Sequence, residues 1–263
     1  MQDDDDIIVI VEGKAVGAAP HADLALYRDL IVAKDYHVGA FAAARKKGQT
    51  FGKKKLGEVT ERVQLHLMRL VNEYLKEKIH GDALREKATK LMRGAWRDVF
   101  LAGLRAGGTP GEGLNVRIGP ADDAWLKGAA AHELRYLNRF LEDVTNEGGR
   151  MPYDQRVRMY ASTLSSFYES ARVIALPGNY ACHWINKDGE CESCRYLAEH
   201  SPYTKYNLPT TPRSGACRCL SNCRCRIVVR RVRPDEALEI LTKAKYTRDQ
   251  HIRNLRRIKQ KGY

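Results

Sequence analysis

The chain has 263 residues, enough for one large domain or two small ones, and its 43% hydrophobic content supplies a packed core and excludes a wholly disordered protein. Forty-five basic against 32 acidic residues leave a net charge of +13, which favours a polyanionic partner: nucleic acid or an acidic protein surface. No apolar run approaches the ~20 residues that cross a bilayer, so no membrane span is expected.

The N-terminus, with its run Asp3 to Asp6, is acidic where a secretory leader would be basic. The expectation is therefore folding in a reducing cytoplasm, where clustered thiols serve metal more often than disulfides. Ile7 to Val11 reads as a short strand or a docking arm. From Ala22 to Ala44 the pattern is helical. The basic segment Arg45-Lys46-Lys47 and Lys53-Lys54-Lys55, which contains glycine, reads as a loop.

Four long helices follow, each marked by apolar residues at helical spacing. The first carries Val63, Leu67, Leu70, Val71, Tyr74 and Leu75. The second spans about Asp82 to Ala106, with Leu84, Ala88, Leu91, Ala95 and Val99 as its stripe and Asp82 as its expected N-cap. The Gly- and Pro-rich stretch 107–111 ends it. The third opens at Gly119-Pro120, buries Leu126, Ala130, Leu134, Leu137, Leu141 and Val144, and stops at Gly148-Gly149. The fourth runs from about Pro152 to Leu176 on Val157, Tyr160, Ala161, Leu164, Tyr168 and Ala171, and Pro177-Gly178 closes it. Trp96, Trp125 and the tyrosines of these stripes read as core, not as a binding box. A strand is expected at 226–230. One basic helix is expected from Pro234 onward, bearing Lys243, Lys245, Arg248, Arg253, Arg256, Arg257, Lys259 and Lys261.

All seven cysteines lie between Cys182 and Cys225. Cys191 and Cys194 form a Cys-x-x-Cys pair, and Cys217, Cys219, Cys223 and Cys225 follow across a polar, Pro-containing loop. A structural metal site is built in this way: each tight turn supplies two thiolates, and the loop brings the turns together. The odd thiol count also argues against a fully paired disulfide framework. Cys191 and Cys194 are the first half-site. The second half has four candidates for two places. Cys219 and Cys223, with Leu220-Ser221-Asn222 between them, are the assignment, and Cys225 is the substitute. Cys182 with His183 could form an alternative corner, but Cys182 and Cys217 are expected to be free thiols.

The ligand set is thus Cys191, Cys194, Cys219, Cys223 and Cys225, around one structural zinc that stabilises a loop-rich segment with little apolar material of its own. Iron–sulfur spacings are not matched. No phosphate loop, H-E-x-x-H or G-x-S-x-G is present. Glu199 and His200 are the only residues of the loop that could complete a catalytic zinc, and the expectation is no catalytic site. A thiol oxidoreductase would place its Cys-x-x-Cys at a helix start after a strand. The further cysteines here fit metal better.

The same segment carries Trp184, Asp188-Gly189, Cys191 and Cys194, Leu197, Ser201-Pro202-Tyr203, Leu208-Pro209, Pro212, Gly215, and then Cys219-Leu220-Ser221-Asn222-Cys223-Arg224-Cys225. Over about residues 150–230 this resembles the C-terminal cysteine module of minor head proteins (head-morphogenesis, minor capsid) of tailed bacteriophages. Arg156, Arg158, Tyr160 and Tyr168 are similar to the helix that precedes that module. Many members write the second cluster His-Pro-Asn-Cys-Arg-Cys, whereas this chain has Leu220-Ser221-Asn222-Cys223-Arg224-Cys225 and an extra Cys219.

The resemblance implies a non-enzymatic virion component made in the host cytoplasm. It would be oligomeric in the particle, associate with portal or capsid protein, and aid head assembly, DNA packaging or DNA delivery. The alternatives are a zinc-containing DNA-binding protein that uses its basic C-terminal helix and, behind that, a zinc-dependent nuclease. The expected architecture is mainly α: a bundle of long helices, a small irregular zinc-binding module with a short β element, and a basic terminal helix. The boundaries are an acidic arm at 1–18, a helical domain at 19–178, the zinc-binding module at 179–232 and the terminal helix at 233–263.

Overall fold

The computed structural model describes residues 9–11, 14–16, 38–108, 116–146, 148–149, 151–187 and 191–261. The Asp3 to Asp6 run, most of the expected 22–44 helix, the stretch 109–113 and the Asp188-Gly189 turn lie outside these residues. Val9–Val11 (β1) and Lys14–Val16 (β2) pair as a small antiparallel hairpin.

Four long helices form the body: α1 (Val38–Leu75), α2 (Gly81–Gly107), α3 (Pro120–Thr145) and α4 (Tyr153–Ile174). Their apolar stripes meet in one core, with α2 at the centre against α1, α3 and α4. Val63, Leu67 and Val71 of α1 are fully buried, as are Leu84, Ala88 and Val99 of α2 and Leu164 and Ala171 of α4. Aromatic rings missing from the sequence stripes fill the middle. Trp96 stacks on Phe167 with centroids 5.5 Å apart, and Phe100 stacks on Trp125 at 5.2 Å. Leu75 ends the α1 stripe exposed.

Two local expectations are corrected here. The basic segment 45–55 is not a loop but part of α1. Its glycines serve close packing instead of a turn. A Cβ on Gly52 would come within 2.9 Å of the Tyr168 ring and 3.0 Å of the Ala102 carbonyl oxygen. The α2 N-cap is His80, not Asp82, and Asp82 lies in the first turn, where its charge complements the helix dipole. By contrast, α3 starts at Gly119-Pro120, with Pro120 at the first helical position and Asp122 Oδ2 accepting from the Gly119 N–H at 3.2 Å.

Beyond α4 the chain turns back as β3 (Tyr180–Ile185), followed by a short helix α5 (Glu192–Glu199), a 3₁₀ turn at Leu220–Asn222 and β4 (Arg226–Arg231). β3 and β4 form an antiparallel ribbon, pairing Tyr180 with Arg231, Cys182 with Val229 and Trp184 with Ile227. On the other edge of β3, Cys182 and Tyr203 exchange backbone hydrogen bonds of 2.6 and 2.9 Å. The expected terminal helix is two helices, α6 (Pro234–Thr242) and α7 (Arg248–Gln260). The break is set by Thr247, whose hydroxyl caps α7 by accepting from the Gln250 N–H while Gln250 Oε1 accepts from the Thr247 N–H. The first turn of α6 is acidic (Asp235, Glu236), so the basic character belongs to α7. The architecture is thus mainly helical, with a small two-stranded sheet and a cysteine cluster near the C-terminus. None of the described helices is long and apolar enough to cross a membrane.

Candidate metal centre

The β3–β4 ribbon, α5 and α7 enclose a second, smaller core. It is built from Val173, Leu176, Tyr180, Trp184, Leu197, Tyr203, Leu208, Ile227 and Leu255, together with Cys182, Cys194, Cys217 and Cys223. Nearly a third of those core residues are cysteines, so the packing of this unit depends on what its sulfurs do.

Cys191 occupies the N-cap of α5 with extended backbone angles, and its carbonyl accepts from the N–H groups of Cys194 (2.9 Å) and Arg195 (3.0 Å). That turn points both thiols the same way, with Sγ atoms 3.6 Å apart. The second half-site comes from the 3₁₀ turn, where the Leu220 N–H bonds the Cys217 carbonyl and the Asn222 N–H bonds the Cys219 carbonyl. Cys194 Sγ lies 3.6 Å from Cys219 Sγ and 3.6 Å from Cys223 Sγ. Two triads result, Cys191/Cys194/Cys219 and Cys194/Cys223/Cys225, with all ligand atoms within 4.8 Å in each.

These spacings discriminate between chemistries. A disulfide needs about 2.05 Å between sulfurs, and none of the seven cysteines is joined in a disulfide. A tetrahedral ion with metal–sulfur bonds of about 2.3 Å needs sulfurs about 3.8 Å apart, close to the 3.6 Å edges found here. The cluster can therefore hold a metal ion.

The rest of the loop is braced around the sulfurs. Arg213 Nε donates to the Cys223 carbonyl at 3.0 Å and its Nη1 reaches Ser165 Oγ on α4. The Arg218 N–H donates to Ser193 Oγ. The Tyr203 hydroxyl donates to the Leu197 carbonyl at 2.9 Å, and Ser201 Oγ accepts from the Trp184 N–H at 3.0 Å. The Cys225 thiol donates to Asn186 Oδ1 at 3.7 Å. The module is tied to the body by Arg172 of α4, which bonds Glu169 Oε2 and the Ile227 carbonyl.

The electrostatics of the clustered thiols are uneven. Hydrogen bonds from Cys194, Cys217 and Cys223 hold the Cys219 thiol far below the usual range, so the first negative charge rests there. Its neighbours are held protonated: Cys194 is pushed up by its contacts with Cys217, Cys219 and Cys223. Cys223 accepts from Cys194, which lowers it, but its contact with Cys219 and its burial outweigh that and raise it to about 12. A divalent ion would replace those protons, which makes metal binding strongly pH-dependent.

Of the sequence candidates, Cys191, Cys194, Cys219, Cys223 and Cys225 come together. Cys217 is buried in the same small core and belongs to neither triad. Cys182 is buried within β3.

Glu199 and His200 are not among the grouped ligands. His200 Nδ1 donates to the Tyr196 carbonyl at 2.8 Å, and its ring packs against Tyr196, Tyr246 and His251. The Cys-x-x-Cys does open a helix that follows a strand, as in thiol oxidoreductases. What differs is the company of Cys194, which meets further thiols at van der Waals distance and not an open approach for a substrate disulfide.

Charge is segregated toward this end of the chain. Residues 180–261 hold 18 Lys and Arg against 8 Asp and Glu, so +10 of the total +13 lies there. Arg224, Arg226, Arg230, Arg231 and Arg233 are all exposed along and beside β4. Compared with family models, curated proteins and solved structures, the chain shows no match to any.

Proposed function

We propose that this protein is a non-enzymatic minor head component of a tailed-bacteriophage virion, with a zinc-stabilised cysteine module, associated with portal or inner capsid protein in an oligomeric particle. The observation that carries the reading is the motif Trp184…Cys191-x-x-Cys194…Ser201-Pro202-Tyr203…Cys219…Cys223-x-Cys225. Its members all belong to one compact unit fixed to a helical body, as a module recognised by its motif would require. Zinc is favoured by the all-thiolate donor set and by sulfur spacings near a tetrahedral edge. The role follows from the resemblance: assembly, DNA packaging or DNA delivery.

The test is to tag the chain in cells that naturally produce it and purify the particles. Co-sedimentation with DNA-filled heads, together with the portal, is expected. A chain recovered only outside particles in cells that make complete heads would overturn the reading.

A second reading, zinc-containing DNA binding, is favoured by the +10 carried by residues 180–261. Contacts to phosphate alone would be sequence-independent and steeply salt-sensitive. Retention of random duplex DNA by the Arg226→Glu/Arg230→Glu/Arg231→Glu variant at wild-type salt dependence would exclude the β4 arginines as the contact. The two readings are compatible, since packaged DNA is a dense polyanion.

A further inference from the structure

We propose that the outer edge of β4 docks an extended acidic segment of a partner protein, which adds to the β3–β4 ribbon as a further strand.

The register shows which backbone groups that edge offers. In an antiparallel pair, residues alternate between exchanging hydrogen bonds with the strand opposite and turning both backbone groups away from it. Cys182 gives its N–H and its carbonyl to Tyr203, so the Cys182–Val229 pair is of the second kind. The pairs two residues along, Trp184–Ile227 and Tyr180–Arg231, repeat it, and the Trp184 N–H accordingly turns outward to Ser201 Oγ. Ile227, Val229 and Arg231 therefore direct their N–H and C=O groups to the far edge of β4. The Arg172 guanidinium donates to the Ile227 carbonyl and closes that end. Among the described residues the sheet ends at β4, and no backbone partner meets the outward groups of Val229 and Arg231. A row of unpaired strand groups is a template for another strand.

The side chains select the occupant. Successive residues of a strand point to opposite faces. Ile227 and Val229 lie on the face that packs against the small core, whereas Arg226 and Arg230 lie on the other face and are exposed. Arg224, Arg226, Arg230 and Arg231 form no ion pair with any described residue, and Arg233 pairs with Asp235 at 3.4 Å. No acidic residue falls between Arg224 and Arg233. A strand with carboxylates on one face and apolar side chains on the other complements both faces of this edge. The β4 strand of a second copy does not, because arginine would meet arginine. Nucleic acid offers phosphate to the guanidinium and N–H groups, but phosphate has no donor for the carbonyls. A polypeptide backbone supplies donors and acceptors in the alternation that the edge requires.

The experiment uses the full chain and a synthetic peptide of alternating aspartate and valine, about eight residues long. Fluorescence anisotropy reads the affinity, and amide hydrogen exchange of the complex reads the place. Binding is expected, with slowed exchange at Val229 and Arg231. The same peptide methylated on its backbone amides keeps its charge but cannot pair, and it should bind at least about tenfold more weakly. Arg226→Glu/Arg230→Glu/Arg231→Glu should weaken binding of the unmethylated peptide by about tenfold or more. Its helical circular dichroism should be unchanged, because these side chains are exposed. Equal affinity for the methylated peptide would reveal charge attraction without strand pairing and overturn the proposal. Failure of the unmethylated peptide to bind the folded chain also overturns it, and retention of random duplex DNA through the same arginines would then assign them to nucleic acid.

Discussion

Replacing Gly103 by alanine should destabilise the helical body, although alanine is the better helix former. A Cβ at Gly103 would sit 2.3 Å from the Tyr168 carbonyl oxygen and 2.8 Å from the Ala171 Cβ. A carbon–oxygen contact relaxes at about 3.3 Å, so α4 would have to retreat from α2 by about 1 Å. The obstacle is backbone, which cannot rotate away as a side chain could. Overpacking of this kind costs about 1–3 kcal/mol, and the retreat also loosens the contacts of Leu164, Phe167 and Tyr168. The gain in helix propensity is only about 1 kcal/mol. The net expectation is a loss of up to about 2 kcal/mol. Gly94 is the internal control: it lies exposed in the same helix, and a Cβ added there would meet nothing within 4 Å, so Gly94→Ala should stabilise by up to about 1 kcal/mol. Urea denaturation followed by helical circular dichroism reads both. Equal stability of the two variants would refute the close α2–α4 crossing.

Three further outcomes are expected. His251 is 2% exposed and hydrogen-bonded through Nδ1 to the Tyr196 hydroxyl, and its burial, with the nearby His200, lowers its pKa from 6.5 to about 4. The unfolded chain therefore binds more protons between those values. The neutral ring's contribution, up to about 3 kcal/mol, is intact above pH 6.5 and is lost as pH falls toward 4. His251→Asn should show a shallower pH dependence of stability over that window, and an identical slope would contradict the assignment. Arg172→Met should loosen the module from the body by about 2–4 kcal/mol, because it leaves Glu169 and the Ile227 carbonyl without their buried donor. Proteolysis should then begin in residues 180–261. Zinc affinity should rise with pH through the neutral range, because Cys194 and Cys223 hold their protons above the ordinary thiol range until metal displaces them. A flat zinc-competition titration from pH 6 to about pH 8 would refute this.

Much of the helical body is legible in the sequence because burial on one face imposes a 3.6-residue recurrence. Val63, Leu67 and Val71 on α1 and Leu137, Leu141 and Val144 on α3 follow it directly. The segment at 45–55 reads wrongly as a loop because a glycine that admits a neighbouring helix looks the same in sequence as a glycine that turns the chain. Only the approach of Tyr168 to Gly52 separates the two. The break between α6 and α7 has a signal, Thr247 three residues before Gln250, but continuous basic charge masks it. In the cysteine module, spacing points to Cys191 and Cys194 as a unit, since three residues span one helical turn. It cannot rank Cys217 against Cys219 or Cys225, because that choice depends on how the turn at 217–222 folds back on α5. The α5 helix itself is eight residues long and shows too few turns for a periodicity to register.

The central claim, that the sulfurs around Cys194 hold zinc and thereby order the module, is tested most directly by zinc-edge X-ray absorption on protein purified under reducing conditions. An all-sulfur first shell at about 2.3 Å is expected, lost in Cys194→Ser while the helical signal of the body persists. A folded wild-type chain without metal, or with nitrogen and oxygen neighbours in place of sulfur, would contradict it.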